Sequence, residues 1–308
     1  MKRDSIPSLS KIGQANLSQY ELYLCDLIDV SPSTIRNYLS DLRQFMAWYE
    51  QTSSAGQEIP QSFVPNTIAT PTITGYRAYL QNSLKLKPAS VNRYLITLKC
   101  YFTWVVKIGL IGNNPAAAVK LIPRIDSPPR HLSNIEESGL VAAVTNSGHM
   151  RDRTIIVLML HTGLRAAEVC TLRPEQVHLG KRSGILAVYG KRNKYREVPL
   201  NATARAVLVA YNKTQTVHTN YLFSSEKTGE ALTERALGYL VKKYAHLASL
   251  SDVSPHDLRH RFGYRMAQVV PIHRLAQIMG HDSLDTTMIY IRGTQGDLQR
   301  EVEKIAWE

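Results

Sequence analysis

Apolar positions recur every three or four residues through the first third of the chain. One stretch places its apolar side chains on a single helical face: Ile35, Leu39, Leu42, Phe45, Met46 and Tyr49. The same periodicity runs through residues 70–84 and 87–110. Ser31 or Ser33 is a candidate N-cap for the first of these helices, and Ser90 for the last. The first third is therefore predicted to be helical.

The pattern changes twice further along. Residues 121–131 contain three prolines and no periodic stripe, which predicts a linker. Short alternating stretches typical of strands lie within 177–200, and the segment Gly190–Lys194 is typical of a hairpin turn. We therefore predict a mainly α protein with a small antiparallel β-sheet: a helical domain over 1–120 and a mixed α/β domain over 132–308.

Composition narrows the kind of partner. The chain has 37 Lys and Arg against 25 Asp and Glu, a net charge of +12, which favours a polyanion such as nucleic acid. Cys25, Cys100 and Cys170 form no paired motif, so we expect neither a disulfide framework nor a zinc ribbon, and a reduced intracellular protein. No apolar leader and no stretch of about 20 apolar residues is present, so no membrane partner is expected.

The segment SPHDLRHRF carries the clearest local chemistry. Ser254 and Pro255 mark a helix start, and His256 and Arg259 share one face of its first turns. A helix N-terminus favours anions, and an imidazole and a guanidinium added there suit a phosphate. Taken alone, such a pair is more often an ordinary surface pair, and a tyrosine such as Tyr290 is more often a core residue.

The combination of motifs is more specific than any single one. Arg259 and His281 are 22 residues apart, and His281 and Tyr290 are 9 apart. The ordered set resembles the signature of the tyrosine recombinase (phage integrase) family, a resemblance that spans roughly residues 15–300. Its members are HTGLRAAE at 161–168, GKRNKYREVPL at 190–200, HDLRH at 256–260, Gly280-His281 and Tyr290.

The resemblance implies a site-specific DNA recombinase and a role for each matching residue. Tyr290 would attack a backbone phosphate and form a 3′-phosphotyrosyl link. Arg165 and Arg259 would clamp the non-bridging oxygens, because a planar, permanently charged fork suits a phosphorane that gains negative charge. Lys191 would protonate the departing 5′ oxygen. No metal, ATP or other cofactor is expected.

The remaining assignments concern residues that assist the reaction at the phosphate and residues that contact DNA. His256 and His281 would donate hydrogen bonds or transfer protons around the phosphate, and Glu168 would orient the arginine clamp. Arg192 departs from the family pattern, in which a small residue follows the hairpin lysine. Basic side chains also suit a module that grips DNA phosphates. The candidates for DNA contact are Arg36, Arg43, Arg93, Lys99, Arg192 and Lys194.

Strand exchange implies a particular assembly. The expected partner is double-stranded DNA with inverted-repeat recombination sites, bound by a tetramer of this chain, alone or with a paralogue, that joins two sites. The segment 297–308 would dock on a neighbouring subunit or pack on its own. The expected location is the cytoplasm, in association with the nucleoid.

Three other functions remain open at this point. A metal phosphohydrolase is suggested by the His256-Asp257 and His281-Asp282 dipeptides together with His260, but it explains neither Arg165 nor Tyr290. A non-catalytic DNA-binding regulator fits the basic helices and leaves the catalytic set unexplained. A topoisomerase of type IB would share the same chemistry but only relax supercoils.

Overall fold

The computed structural model describes residues 7–27, 30–54, 61–123, 129–190, 194–215, 219–291 and 302–304. The chain divides into two compact units, Met1–Asp126 and Ser127–Glu308. The domain bounds that we predicted, 1–120 and 132–308 with a linker at 121–131, remain a proposal. Each unit is described below by itself.

The N-terminal unit is helical. Its long helices pack around an aromatic core in which the rings of Phe45 and Tyr76 meet edge to face, 5.0 Å apart. Ser31 caps its helix by accepting from the backbone N–H of Thr34, but the prediction for Ser90 is wrong, because Pro88 already starts that helix. The helices are α1 (Lys11–Cys25), α2 (Pro32–Ser53), α3 (Thr70–Ala78), which continues into the π-helical turn Tyr79–Ser83, and α4 (Pro88–Lys107).

The C-terminal unit contains both helices and a small sheet, and helices precede and follow the sheet along the chain. The sheet is antiparallel, in the order β1-β2-β3, and Tyr189 pairs with Tyr195 next to the hairpin turn. The strands are β1 (Val177–Leu179), β2 (Gly184–Tyr189) and β3 (Tyr195–Pro199). The predicted class, mainly α with a small antiparallel sheet, is confirmed.

Three helices of this unit pack against its most buried helix, Met150–Thr162. Its run from Ile155 to Leu160 is buried on every side, as expected for a helix that packs against several neighbours. The others are α5 (Asn134–Asn146), α6 itself (Met150–Thr162), α7 (Ala166–Thr171), α8 (Ala202–Asn212), α9 (Glu234–Leu247), α10 (Pro255–Ala267), α11 (Ile272–Met279) and α12 (Asp285–Met288). α10 packs on α6, and a hydrogen bond from Arg259 to the carbonyl oxygen of Gly163 joins the start of α10 to the end of α6.

Candidate active site

Two helix ends that stop at a glycine form the base of the site. α6 ends at Gly163 and α11 at Gly280, both in the left-handed conformation with φ of +62° and +66°. The last carbonyl groups of a helix lack intrahelical partners and carry its negative dipole end. Arg259 donates to the carbonyl oxygens of Gly163 and Met279, the second at 2.8 Å, and Arg165 donates to that of Gly280 at 2.6 Å. The helix ends therefore position both arginines.

Gly280 has a second reason to lack a side chain. A Cβ atom at this position would lie 2.9 Å from Cδ of Arg196, which crosses directly above it. Arg196 in turn donates to the carbonyl oxygen of Ile278 at 3.2 Å. The Gly-His motif therefore combines a left-handed helix end with the close approach of a half-buried arginine from β3.

Glu168 binds two arginines of the site, Arg165 and Arg196. Its side chain is buried, and it accepts from Arg165 Nη1 at 3.0 Å and from both terminal nitrogens of Arg196 at 2.6 and 2.8 Å. Burial alone would raise the pKa of Glu168, but the hydrogen bonds and charge of Arg196, with the backbone N–H of Arg165, hold it below the ordinary value. The carboxylate thus stays ionised and orients Arg165.

The sequence motifs did not single out Arg196. The strand pattern contained a signal for it, because Arg196 lies two residues before the buried Val198 in β3 and so shares the inward face of the sheet with it. A charged residue at such a position requires a partner. Glu168, on a different element, supplies it.

Arg259 is the most enclosed charge of the site, with 4% of its surface exposed. Burial, followed by the positive charge of Arg165, lowers the pKa of Arg259 to about 10, so the guanidinium still carries its proton at neutral pH. A guanidinium has five N–H donors. Within the described residues, Arg165 and Arg259 each use two of them. The remaining donors suit the oxygens of an anion such as a phosphate.

Tyr290 lies two residues beyond α12 and is buried against α10. Its hydroxyl oxygen lies 3.0 Å from Nδ1 of His260, and its ring meets that of Tyr264 edge to face at 5.2 Å. A Cβ atom on Gly263 would lie 2.5 Å from Cζ of Tyr290, so only glycine lets the ring approach α10 this closely. Burial raises the pKa of Tyr290 to about 12, although Arg259 opposes the shift.

The two predicted histidines flank the arginines. His281 follows Gly280, and its Nδ1 lies 2.7 Å from the hydroxyl oxygen of Thr287. Burial and then the charge of Arg259 lower the pKa of His281 to about 4 and also lower that of His256. Both imidazoles are therefore neutral at pH 7 in the protein alone.

A cleft of about 670 Å³ opens beside these groups. Arg165, Arg196 and His281 line it together with Lys194 of the β2–β3 turn, whose Nζ lies 2.6 Å from Asp282 Oδ1. The structure thus brings together the predicted set of Arg165, His256, Arg259, His281 and Tyr290 with Glu168. Lys191 and Arg192 lie outside the described residues, and the role of every member remains a prediction.

The other DNA-contact candidates lie on α2 and α4 of the N-terminal unit. Arg36 is exposed and Arg43 half-buried. Arg93 forms an ion pair with the buried Asp41 at 2.7 Å, and Lys99 donates to a backbone carbonyl oxygen at 3.2 Å. Arg93 and Lys99 are thus partly engaged within the protein, and contact with DNA stays a prediction for all four.

Among the residues that the structure describes, no group of three or more His, Cys, Asp or Glu side chains is arranged to hold a metal ion. No helix there has both the length and the apolar character needed to cross a membrane. The predicted docking segment, 297–308, lies outside the described residues except for 302–304.

Sequence comparisons match both units. The sequence model of the Phage integrase family matches residues 131–296, and that of the phage integrase N-terminal SAM-like domain matches residues 18–111. Tyrosine recombinase XerD of Pseudomonas aeruginosa is 30% identical over 281 residues, which cover 88% of this chain and 90% of that protein. Tyrosine recombinase XerC of Pelobacter propionicus is 27% identical over 277 residues, 88% of each.

Solved structures share the fold at low sequence identity. The XerH site-specific recombinase bound to its difH substrate, in a pre-cleavage complex, has a TM-score of 0.71 at 22% identity and covers 98% of this chain and 92% of that chain. A lambda integrase (75–356) dimer bound to a COC′ core site has a TM-score of 0.67 at 18% identity, with 88% and 95% covered.

Proposed function

Because this chain belongs to the phage integrase family and is a tyrosine-type site-specific recombinase, we propose that Tyr290 cuts DNA through a covalent 3′-phosphotyrosyl intermediate, without metal or ATP. The observation that carries the proposal is the grouping around Tyr290. His260 lies at hydrogen-bond distance from its hydroxyl group, and the positive charge of Arg259 acts on it. Arg165, His256 and His281 lie near Arg259.

The chemistry requires such surroundings. A phosphodiester is anionic and resists attack, and a phenol of high pKa is a poor nucleophile until its proton is removed. Arg165 and Arg259 would bind the non-bridging oxygens and stabilise the charge that develops on the phosphorane. His256 and His281 would add hydrogen bonds to the same oxygens, and Glu168 would keep Arg165 in position.

The leaving group needs its own proton. We assign this to Lys191, which follows Gly190 in the sequence. Gly190 and Lys194 both line the cleft. The phosphotyrosyl bond conserves the energy of the broken phosphodiester. The 5′ hydroxyl of a second strand can therefore attack it and release Tyr290 without ATP.

Strand exchange also defines the partners that we propose. XerH and lambda integrase are recorded on DNA, and the net charge of +12 suits a DNA partner. The N-terminal unit would grip duplex DNA through Arg36, Arg43, Arg93 and Lys99, and Arg192 and Lys194 would contact it from the turn. Four copies, or two copies each of this chain and a paralogue, would join two inverted-repeat sites in the nucleoid.

The test is a covalent adduct on a nicked DNA duplex, from which the short fragment that carries the freed 5′ hydroxyl diffuses away. We expect the full-length protein to form the adduct in the presence of a chelator, and Tyr290→Phe to bind the DNA without forming it. Tyr264→Phe is the matched control, because Tyr264 packs on Tyr290 and its hydroxyl binds a backbone carbonyl instead. An adduct on Tyr290→Phe, or one that requires added metal, contradicts the proposal.

A further inference from the structure

His260 contacts the reacting atom but has no role in the scheme above. It lies one helical turn after His256 in α10, with 7% of its surface exposed. Its Nδ1 is 3.0 Å from the hydroxyl oxygen of Tyr290, a hydrogen-bond distance. The position of a base relative to the proton it removes is the first criterion for general base catalysis.

We propose that His260 is the general base that takes the proton of Tyr290 as the hydroxyl oxygen attacks phosphorus. This inference rests on the proposed function, in which Tyr290 is the nucleophile. It adds a catalytic residue to that site, distinct from the two histidines placed around the phosphate.

Neither of the other two histidines is hydrogen-bonded to Tyr290 within the described residues. Nδ1 of His281 is bonded to Thr287. The His256 ring packs against that of His260, with centroids 4.2 Å apart, and within the described residues no hydrogen bond joins His256 to Tyr290. His256 therefore remains available to the phosphate oxygens, and His260 is the imidazole that the hydroxyl proton reaches directly.

The surroundings keep His260 ready to accept a proton. Burial, followed by the nearby His256, lowers the pKa of His260 to about 4. Asp257 and Arg259 on the same helix act in opposite directions, and His281 and Tyr290 face it from the chain after α11. The ring is thus neutral at pH 7 and has a lone pair to offer. An arriving phosphate brings negative charge, which favours the protonated imidazole.

The step balances in both directions. The hydroxyl proton of Tyr290 moves to Nδ1 of neutral His260 while the oxygen forms a bond to phosphorus. The bond from phosphorus to the 5′ oxygen breaks, and that oxygen takes a proton from the general acid. In rejoining, a 5′ hydroxyl gives its proton to the now neutral acid and attacks, and the imidazolium of His260 returns its proton to Tyr290.

A weak base suffices because the proton leaves during bond formation. A free phenol of pKa about 12 would not ionise towards His260. As the oxygen–phosphorus bond forms, the phenol oxygen loses electron density and its proton becomes far more acidic. General base catalysis of this kind contributes about 10²–10⁴-fold.

The experiment combines His260 variants with a more acidic nucleophile. Single-turnover cleavage is measured for His260→Ala and His260→Asn, each with Tyr290 and with 3,5-difluorotyrosine at 290. We expect both variants to slow cleavage by about 100-fold. Asparagine places an amide near the position of Nδ1 and keeps a hydrogen bond, but it cannot take the proton. Difluorotyrosine should then recover about tenfold in both, since a more acidic phenol depends less on a base.

The controls separate a base from a structural contact. His281→Asn changes a half-buried imidazole of the same site whose Nδ1 is bonded to Thr287, so we expect slow cleavage that difluorotyrosine does not recover. Near-normal cleavage by His260→Asn with ordinary Tyr290 would mean that His260 only positions Tyr290 and does not take its proton. Faster cleavage by His260→Ala would make the contact inhibitory. DNA binding by each variant verifies that it folds, and His260→Gln replaces any variant that does not.

The proposed function and this inference fail in different ways. If the unmodified protein forms no adduct with Tyr290, the nucleophile is wrong. If the adduct forms and His260→Ala cleaves at the normal rate, only the base is wrong.

Discussion

Arg259 and Arg261 lie two residues apart in α10 and are almost equally buried, with 4% and 5% of their surfaces exposed. Arg259 donates to the carbonyl oxygens of two helix ends. Arg261 donates to the carboxylate of Glu137 at 2.6 Å and to Asn134. A carbonyl group orients a guanidinium without cancelling its charge, whereas a carboxylate cancels it.

The difference separates two uses of a buried cation. The charge of Arg259 is held for an anion that arrives later, at the cost of a lowered pKa. The charge of Arg261 is neutralised within the fold, where Glu137 also binds Arg265 at 2.8 Å. Arg261 departs from the family resemblance, in which a small polar residue is common after H-x-L-R-H, and its contacts tie α10 to α5.

The largest effect should come from Arg259→Lys. Lysine keeps the charge but loses the planar fork, so it cannot bind two carbonyl groups and a phosphate together. We expect the cleavage rate to fall by about 10³-fold with DNA affinity largely kept. Near-normal single-turnover cleavage by Arg259→Lys together with slow cleavage by Arg261→Lys would contradict this distinction between the two arginines.

A smaller effect, on stability alone, is expected for Glu137→Gln. This change leaves Arg261 buried without its counter-charge and should lower the free energy of unfolding by about 3 kcal/mol. Arg261→Met should cost less, because Glu137 keeps Arg265. Denaturant unfolding of the full chain measures both. Cleavage per folded molecule should stay within a few-fold of normal, and a loss resembling that of Arg259→Lys would remove the distinction between the two arginines.

The smallest effect is expected for Glu168, whose carboxylate binds both Arg165 and Arg196. Its pKa is lower in the folded protein than in the unfolded chain, so the folded state binds fewer protons. Its contribution to stability is therefore complete above the ordinary glutamate pKa of about 4.3 and is lost as the pH falls through the lower folded value. The pH dependence of unfolding should be shallower in that acidic window for Glu168→Gln, and an unchanged slope would contradict this.

The order of motifs along the chain was sufficient to identify the family and the fold class. Local sequence also predicted the geometry of these segments. The glycines of T-G-L-R and Gly-His each end a helix, and the Ser-Pro pair before H-x-L-R starts one. The hairpin likewise followed from alternation and turn residues. The N-cap at Ser90 failed because a proline two residues earlier is an equally good helix start.

Arg196 and His260 could not be assigned from the motifs alone. Each lies inside a recognised segment, but its importance depends on a partner far along the chain: Glu168 for Arg196 and Tyr290 for His260. Local pattern reports which face of a strand or helix a side chain occupies. It does not report which atom of another element that face meets.

The sequence by itself determined the family, the small sheet among helices and the identity of the groups that could act on a phosphate. Only the tertiary structure decided which positive charges are paired with a carboxylate inside the protein and which remain available to an anion. Arg259 and Arg261 are the same residue type, on one helix and at equal burial, so no local rule distinguishes them. Their roles diverge because the end of α6 brings a carbonyl oxygen to one guanidinium and α5 brings a carboxylate to the other.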